Sequence, residues 1–237
     1  MNINDRKNRD AKDTTKIVVY GGNGFVGTRV AEALLATDVC AVCVSRTGHK
    51  PLHLGDQLWS ESVRWCKGDA CKPDTQLLGR LDGLVTLIGS PPLPTFSKRA
   101  YEEQLFVNGT TNVQAIKAAG EAGIKRVVLL GAQLPFFMHR EGCGYAYGKK
   151  IAMQAAKEFS ELSSEHRAIV IQPGLIYGRR YQKNGKSIPL DTIFKPMSWI
   201  MPSYFISVEK VAERIAMEML CDDPERGQFI VLKNRQI

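Results

Sequence analysis

The sequence contains no apolar run that approaches the roughly 20 residues needed to cross a bilayer. It also lacks, near its start, the apolar stretch that a secretory signal requires. Transit peptides are poor in acidic residues, whereas Asp5, Asp10 and Asp13 lie among the first positions of this chain. We therefore interpret residues 1–15 as a flexible tail. We expect a cytoplasmic protein of bacterial type, with the mitochondrial or plastid matrix as the alternative.

Closely spaced cysteines are almost absent, because only Cys40 and Cys43 among the six cysteines form a close pair. Both fall in an apolar run over residues 39–44 that predicts a strand, and an offset of three places the two sulfurs on opposite faces. Such a pair does not easily share a metal or form a disulfide. We expect no metal site and six reduced thiols in an intracellular protein.

Clusters of positive charge are also missing, although the formal net charge is +8 at pH 7. Lysine and arginine are spread along the chain, with only short runs such as Arg179-Arg180. No aromatic residues interleave with these cations in the way that single-strand nucleic-acid binding requires. We expect a generally basic surface and no nucleic-acid partner.

The sequence does contain a regular alternation of β-rich and helix-forming segments. Strands are predicted over residues 17–20, 39–44, 62–66, 84–88, 126–130, 168–172 and 229–232. Helices are predicted over residues 28–37, 101–121, 145–162 and 208–220. This alternation is typical of an α/β fold, a doubly wound parallel sheet with helices on both faces. We expect one domain over residues 16–237, with a small C-terminal substrate lobe at about residues 178–206.

A glycine cluster separates the first predicted strand from the first predicted helix. Gly21 permits a tight turn, Gly24 lets the backbone approach a pyrophosphate, and Gly27 lets the helix pack closely on the strand. The start of the helix supplies N–H groups and the positive end of a dipole to the phosphates. The loop therefore predicts a dinucleotide bound on a Rossmann-type sheet. Its remaining predicted contacts are Asn23, Phe25 and Val26.

The residues after the second predicted strand indicate which dinucleotide to expect. An Asp or Glu there would hold the ribose 2′-hydroxyl of NAD, but the chain has Ser45, Arg46 and Thr47. Arg46 is able to pair bidentately with a 2′-phosphate, and the hydroxyls beside it are able to donate hydrogen bonds. We predict NADP(H). NAD is the alternative if Arg46 is only a solvated loop residue.

Two further positions are predicted to contact the cofactor. Asp69 follows the third predicted strand and would accept a hydrogen bond from the adenine amino group, the alternative being a turn-forming aspartate. Gly89, at the tip of the fourth predicted strand, would let the backbone pass close to the cofactor.

Three more motifs follow the glycine loop along the chain. They are Asn108 within residues 106–110, the pair Tyr145 and Lys149, and the stretch from Gln172 to Gly178. Together with the loop they resemble the extended and atypical short-chain dehydrogenase/reductases over nearly the whole chain. Within that superfamily, the loop, residues 44–48 and residues 173–191 look most similar to one branch. That branch includes a ubiquinone-biosynthesis accessory protein, plastid relatives and, more distantly, the nucleotide-binding accessory subunit of respiratory complex I.

The resemblance implies that Tyr145 is the acid/base and that Lys149 orients the nicotinamide ribose and lowers the pKa of the tyrosine. A spacing of four residues places both side chains on one helix face, and a nearby ammonium favours the phenolate. The alternatives are a plain surface pair or Tyr147 as a competing phenol. The full set of predicted cofactor contacts is Gly21, Asn23, Gly24, Phe25, Val26, Gly27, Ser45, Arg46, Asp69, Gly89, Lys149 and Pro173.

The chain departs from the superfamily after the fifth predicted strand, where a Ser or Thr would hold the substrate carbonyl. The residues here are Gly131, Ala132 and Gln133, so no hydroxyl is present. Loss of one such donor typically costs about 3 kcal/mol of transition-state stabilisation. The Gln133 amide is the candidate replacement. We therefore expect slow turnover or none beside tight cofactor binding.

The C-terminal third selects the substrate in this superfamily, here about residues 178–205. Its basic residues are Arg179, Arg180, Lys183 and Lys186. Its apolar residues are Phe194, Met197, Trp199, Ile200, Met201, Tyr204 and Phe205. The combination suits a small hydrophobic or amphiphilic substrate such as a prenylated ring, or an anionic membrane surface, the alternative being a lid packed on the domain. His139 is interpreted as a surface-loop residue.

Two functions remain open at this point. One is an NADP(H)-dependent oxidoreductase acting on a hydrophobic carbonyl or quinone-like substrate, with Tyr145 handling the proton. The other is a catalytically weak or inactive dinucleotide-binding scaffold or regulator in ubiquinone biosynthesis or a respiratory assembly. The missing hydroxyl near Gly131 favours the second.

Overall fold

The structure is a computed structural model that describes residues 14–92, 97–134, 142–182, 185–223 and 225–237. Residues 1–13, which carry most of the predicted tail, lie outside this part of the chain, as do His139 and Lys183. None of the helices within the described ranges combines the length and the apolar character needed to cross a bilayer.

Strands and helices alternate along the chain as the sequence predicts. The strands of the described residues are β1 (Lys16–Tyr20), β2 (Cys40–Ser45), β3 (Arg64–Lys67), β4 (Gly83–Thr86), β5 (Arg126–Leu130), β6 (Arg167–Gln172), β7 (Leu175–Tyr177), β8 (Arg179–Tyr181), β9 (Ser187–Pro189), β10 (Phe205–Ser207) and β11 (Phe229–Lys233). The α-helices are α1 (Phe25–Leu35), α2 (Thr75–Leu78), α3 (Lys98–Leu105), α4 (Thr111–Glu121), α5 (Gly144–Ser160), α6 (Leu190–Ile200) and α7 (Val208–Leu220).

Seven strands form one central sheet in the order β11-β6-β5-β4-β1-β2-β3. Every pairing in it is parallel. The strand order reverses beside β1, which pairs with β2 on one side and with β4 on the other. In open parallel sheets, ligands bind at the carboxyl ends of the strands beside such a reversal. The α/β, doubly wound prediction is confirmed, and the sheet order directs attention to the loops after β1, β2 and β4.

Helices cover both faces of the sheet because alternate side chains of each strand point to opposite faces. Val19 belongs to one buried cluster with residues of α1 and α7, including Val30 and Ile215. Its neighbour Val18 belongs to a second cluster with α4 and α5, including Ile116. Burial on both faces explains why the strands read as near-continuous apolar runs.

Residues 175–207 form small elements that stand outside the central sheet. β7 pairs in parallel with β10, and β8 pairs with β9 in an antiparallel hairpin. Helix α6 lies between β9 and β10 along the chain. This stretch includes residues 178–206, for which the sequence predicts a C-terminal lobe.

One helix differs from its prediction. The segment predicted as continuous over residues 101–121 contains a π-helical turn at Phe106–Thr110, between α3 and α4. Such turns are frequent at functional sites. Here the turn holds Asn108, one of the motif residues, in a fully buried position.

Candidate functional site

The glycine loop connects β1 directly to α1. Gly21 adopts a φ of +81°, which favours glycine, and its N–H donates to the Val44 oxygen over 3.0 Å. Gly24 is the N-cap of α1 and provides no side-chain hydrogen bond to the helix. The first N–H groups of a helix have no acceptor within the helix. The amides at the start of α1, which begins at Phe25, are therefore available to an anion, as the sequence predicts.

Gly27 makes the closest backbone approach in the loop. A Cβ atom built there would lie 2.1 Å from the Gly21 oxygen and 2.7 Å from the Gly22 Cα. Both neighbours are backbone atoms, so a side chain at this position would force the loop away from the helix. The loop thus provides a cradle of backbone groups that fits a pyrophosphate.

Gly22 rests on the buried thiol of Cys43 in the neighbouring strand. A Cβ atom at Gly22 would lie 2.5 Å from the Cys43 Sγ. The thiol is 1% exposed, and burial raises its pKa to about 12. Sequence reasoning did not foresee this contact.

A hydroxyl and amide cluster links the glycine loop to the end of β2. The Asn23 Nδ2 donates to the Thr47 Oγ1 over 3.1 Å, and the Ser45 and Thr47 hydroxyls lie 3.4 Å apart. The Gly48 N–H donates to the Ser45 Oγ over 3.1 Å. Arg46 is exposed and has no hydrogen-bond or ion-pair partner among the described residues. The structure therefore gathers Asn23, Ser45 and Thr47 beside the loop and leaves the Arg46 guanidinium free for a ligand.

Asp69 shows the geometry of the turn-forming alternative. Its Oδ1 accepts the Cys71 N–H over 3.0 Å, and its backbone oxygen accepts the Lys72 N–H. The carboxylate also contributes, after burial and the Asp74 charge, to a Tyr20 pKa raised to about 12. Asp69 is exposed beyond the end of β3, so the second carboxylate oxygen is not used by this turn.

Gly89, Asn108 and Lys149 meet beyond the end of β4. A Cβ atom at Gly89 would lie 3.0 Å from the Asn108 Oδ1 and 3.5 Å from the Lys149 Nζ. The Lys149 ammonium donates to the Leu130 oxygen over 2.7 Å. Full burial lowers the pKa of Lys149 to about 8. The loop after β4, the π-helical turn and α5 thus bring three residues of the predicted motifs into one place.

An amide network fixes this arrangement and was not identified from sequence. The Asn108 Nδ2 donates to the Ser90 Oγ and to the Gln104 oxygen, both over 2.9 Å, and its Oδ1 accepts the Ser90 N–H. Asn112 donates to the Ile88 oxygen and accepts the hydroxyl of Thr86 over 2.6 Å. Fully buried amides need such partners.

The sequence did contain one signal for the two asparagines, which is their spacing. Asn108 and Asn112 are four residues apart within a segment that is predicted as helix, which indicates two amides on one helix face. Together they tie residues 86–90 to the helix, which positions Gly89.

Tyr145 lies close to Lys149, but its ionisation differs from the expectation. Burial is the main cause that raises its pKa to about 12, and Cys143 contributes a smaller part. The Lys149 Nζ lies 6.0 Å from the Tyr145 ring centroid and is hydrogen-bonded to the Leu130 carbonyl instead. The expected lowering of the tyrosine pKa by the lysine was therefore wrong. The competing phenol, Tyr147, is exposed.

The end of β5 has no hydroxyl, as the sequence indicates. Gly131 is buried, and a Cβ atom there would lie 3.0 Å from the Val170 Cγ1. The Gln133 Oε1 accepts the Asn234 N–H over 3.3 Å, which ties this side chain to the segment after β11. The Gln133 N–H donates to the oxygen of buried Pro173 over 2.7 Å. The structure thus places Pro173 beside the end of β5.

In the described part of the chain, no group of three His, Cys, Asp or Glu side chains is arranged to hold a metal ion.

An anion-binding glycine loop at a strand-order reversal, with a buried lysine and tyrosine at the neighbouring strand ends, defines a dinucleotide-binding protein of the Rossmann type. A family model described as the NAD-dependent epimerase/dehydratase family matches residues 17–193. This chain belongs to that family, which is of the extended short-chain dehydrogenase/reductase kind.

Two proteins that are similar in sequence are relevant to the branch of the family that the motifs resemble. An uncharacterized chloroplastic protein of Arabidopsis thaliana is 33% identical over 195 residues, which cover 79% of this chain and 59% of the plant protein. The MIOREX complex component 2 of Saccharomyces cerevisiae is 36% identical over 78 residues, which cover 31% of this chain and 28% of the yeast protein. The matched region is thus less than two thirds of each relative.

Solved structures with the same fold hold different dinucleotides. A UDP-glucuronic acid 4-epimerase from Bacillus cereus, in complex with UDP-glucuronic acid and NAD, gives a TM-score of 0.69 at 14% identity and covers 92% of this chain and 77% of its own. ElxO with NADP bound gives a TM-score of 0.68 at 15% identity over 93% of this chain and 97% of its own. At such identities the likeness shows the fold.

Replacing Gly27 by Ala tests the loop cradle. We expect Gly27→Ala to weaken NADPH binding by at least about tenfold, and overpacking to lower the free energy of unfolding by about 1–3 kcal/mol. Fluorescence titration and urea unfolding measure the two effects. Gly55→Ala is the matched control, because its Cβ would approach only the Leu52 oxygen, at 3.4 Å. Equal behaviour of the two variants would contradict the cradle.

The lowered pKa of Lys149 predicts a dependence of stability on pH. Between about 8 and the ordinary value of 10.5, the unfolded chain binds the lysine proton and the folded chain has released it, so the free energy of unfolding rises with pH. Below pH 8 the buried ammonium destabilises the wild type but not Lys149→Met. Relative to the wild type, we therefore expect the free energy of unfolding of Lys149→Met to fall by up to about 3 kcal/mol as the pH rises from below 8 to about 10.

Urea unfolding of both proteins across this range measures the difference. Tyr20, Tyr145 and Cys43 titrate in both proteins, so their contributions cancel at first order. The exposed neighbour Lys150, changed to Met, is the matched control for loss of a lysine from α5. A difference between wild type and Lys149→Met that stays constant with pH would show that the Lys149 ammonium is not desolvated.

Proposed function

We propose that this protein is an NADP(H)-dependent oxidoreductase that acts on a hydrophobic carbonyl or quinone-like substrate. The convergence of Gly89, Asn108 and Lys149 beside Tyr145, on the same edge of the sheet as the glycine loop, is the observation that carries the proposal. A loop that binds phosphate alone would not require a buried lysine and tyrosine at the neighbouring strand ends.

Each residue has a role that its surroundings support. When bound, a nicotinamide dinucleotide supplies or accepts a hydride. Lys149, held by the Leu130 carbonyl, presents its remaining N–H donors to the ribose hydroxyls. The absence of a side chain at Gly89 leaves the approach to this amine open.

Tyr145 is the proposed proton donor. A phenol with a pKa of about 12 is protonated at neutral pH, so Tyr145 would hold the proton that a substrate carbonyl oxygen takes up. This assignment keeps Tyr145 as the acid/base that the resemblance implied, but with a raised rather than a lowered pKa.

The preference for NADP(H) over NAD rests on the end of β2. No carboxylate follows this strand, so nothing there would repel a 2′-phosphate, and the Ser45 and Thr47 hydroxyls form a polar cluster with Asn23. The Arg46 guanidinium, which has no partner within the described residues, supplies the charge that would complement that phosphate.

Arg46→Ala tests the cofactor preference. We expect NADPH affinity to fall about tenfold and NADH affinity to stay unchanged, because only the former would lose a charge-assisted contact. Titration of nucleotide fluorescence gives both affinities. Arg80→Ala is the matched control, since this exposed arginine precedes the amino end of β4. Tighter binding of NADH than of NADPH by the wild type would overturn the preference.

Tyr145→Phe tests the chemistry. We expect NADPH oxidation with short-chain quinones or hydrophobic ketones, followed by absorbance, to fall by about 10²–10⁴-fold while NADPH affinity is retained. Tyr147→Phe, which removes the exposed phenol two residues away, should keep its activity. Tight binding of NADPH with no oxidation in the wild type would exclude the oxidoreductase.

A second candidate function is a dinucleotide-binding scaffold or regulator. The end of β5 favours it, because the buried Gly131 has no side chain that could donate a hydrogen bond to a substrate carbonyl. The yeast relative is named as a component of a complex. Under this candidate, the protein would serve an assembly of ubiquinone biosynthesis or respiration, and NADPH would bind without turnover.

The proposed compartment is the alternative that the sequence offered, an organelle matrix. We infer a plastid or mitochondrial matrix rather than the cytoplasm, on the support of a relative that is named as chloroplastic.

A further inference from the structure

The C-terminal lobe carries an unusual share of the exposed apolar surface. Of the 13 large hydrophobic side chains that are exposed among the described residues, seven lie between Leu175 and Tyr204. Trp199 and Ile200 are each 82% exposed. We define the lobe surface as Leu175, Met197, Trp199, Ile200, Met201 and Tyr204.

Backbone hydrogen bonds connect the residues of the lobe surface. The Met201 N–H donates to the Met197 oxygen over 2.9 Å, and the Tyr204 N–H donates to the Met201 oxygen over 3.0 Å. The Leu175 N–H donates to the Tyr204 oxygen over 2.6 Å, which joins β7 to the end of this turn. The residues that carry these exposed side chains are therefore neighbours along one continuous stretch of hydrogen-bonded backbone.

The packing of α6 explains why Trp199 and Ile200 face outward. The inner face of α6 is occupied, since Phe194 stacks on Phe205 with ring centroids 5.8 Å apart and Ser198 lies 3.3 Å from the Tyr177 hydroxyl. Trp199 is one residue beyond Ser198 and five beyond Phe194, so it falls on the opposite side of the helix. Burying Trp199 and Ile200 would require a partner outside the described residues.

Two positively charged residues, Lys195 and Arg235, flank the lobe surface. Lys195 precedes Trp199 by one helical turn and is exposed. Arg235, also exposed, donates from its Nε to the Ser203 Oγ over 2.7 Å. No Asp or Glu occurs over residues 192–206 or 226–237. Asp191, in the first turn of α6, lies two turns from Trp199, and its Oδ1 is buried.

We propose that the lobe surface docks on a membrane surface rich in anionic lipids. An exposed tryptophan with aliphatic neighbours suits the boundary between headgroups and acyl chains, and flanking cations suit the negative headgroups. A second copy of the chain fits less well, because a symmetric contact through this patch would bring the Lys195 and Arg235 charges of both copies together. The proposal does not depend on the oxidoreductase activity.

Vesicle binding by the full chain tests the docking surface. We expect co-sedimentation with phosphatidylcholine vesicles that contain phosphatidylglycerol, weak binding to phosphatidylcholine alone, and loss of binding as salt rises. The double variant Trp199→Ser, Ile200→Ser should bind at least about tenfold more weakly. Lys195→Ala and Arg235→Ala should each weaken anionic binding about fivefold.

Leu58→Ser is the matched control, since Leu58 is 88% exposed in a short 3₁₀ segment outside the lobe. Circular dichroism and NADPH titration establish that each variant is folded. Equal binding to neutral and anionic vesicles, no vesicle binding, or unchanged binding by the double variant would overturn the proposal. Self-association of the wild type without vesicle binding, lost in the double variant, would assign the patch to a second copy instead.

Discussion

The contact between the Gly27 backbone and the Gly21 oxygen sets the position of everything around the cofactor site. It holds the first turn of α1 against the end of β1, and that position determines where free helix amides meet a phosphate. The parallel sheet then relates this point to the ends of β2 and β4 by fixed strand spacings. A dinucleotide bound at the loop would therefore extend toward the Ser45 cluster on one side and toward Lys149 on the other.

Much of this framework was predictable because it depends on patterns that are local in sequence. Strands buried on both faces must be apolar throughout, so the apolar runs around Val18 and Val42 predict such strands. Three glycines spaced between a strand and a helix are typical of a phosphate-binding loop. The π-helical turn was not predictable, because it is stabilised by Asn108 and Asn112 contacts with a loop that is distant in sequence. Propensity within residues 101–121 favours a continuous helix.

The site chemistry was predicted less well than the site residues. Spacing showed that Tyr145 and Lys149 share a helix face, but it did not show how deeply they are buried. Desolvation raises the pKa of the tyrosine and lowers that of the lysine, so both groups are pushed toward their neutral forms. The Leu130 carbonyl also accepts one N–H of the Lys149 ammonium, a contact that the sequence did not indicate. Asp69 likewise proved to form a turn, which is a common use of an aspartate after glycine.

The thiol beneath Gly22 has a chemical consequence for a protein that handles redox cofactors. Thiolates, not thiols, react with oxidants and electrophiles. With a pKa of about 12 and almost no exposure, Cys43 stays protonated and inaccessible. Burial and protonation therefore both shield the sulfur beneath the cofactor loop from peroxide and alkylating agents, which react with ordinary surface cysteines.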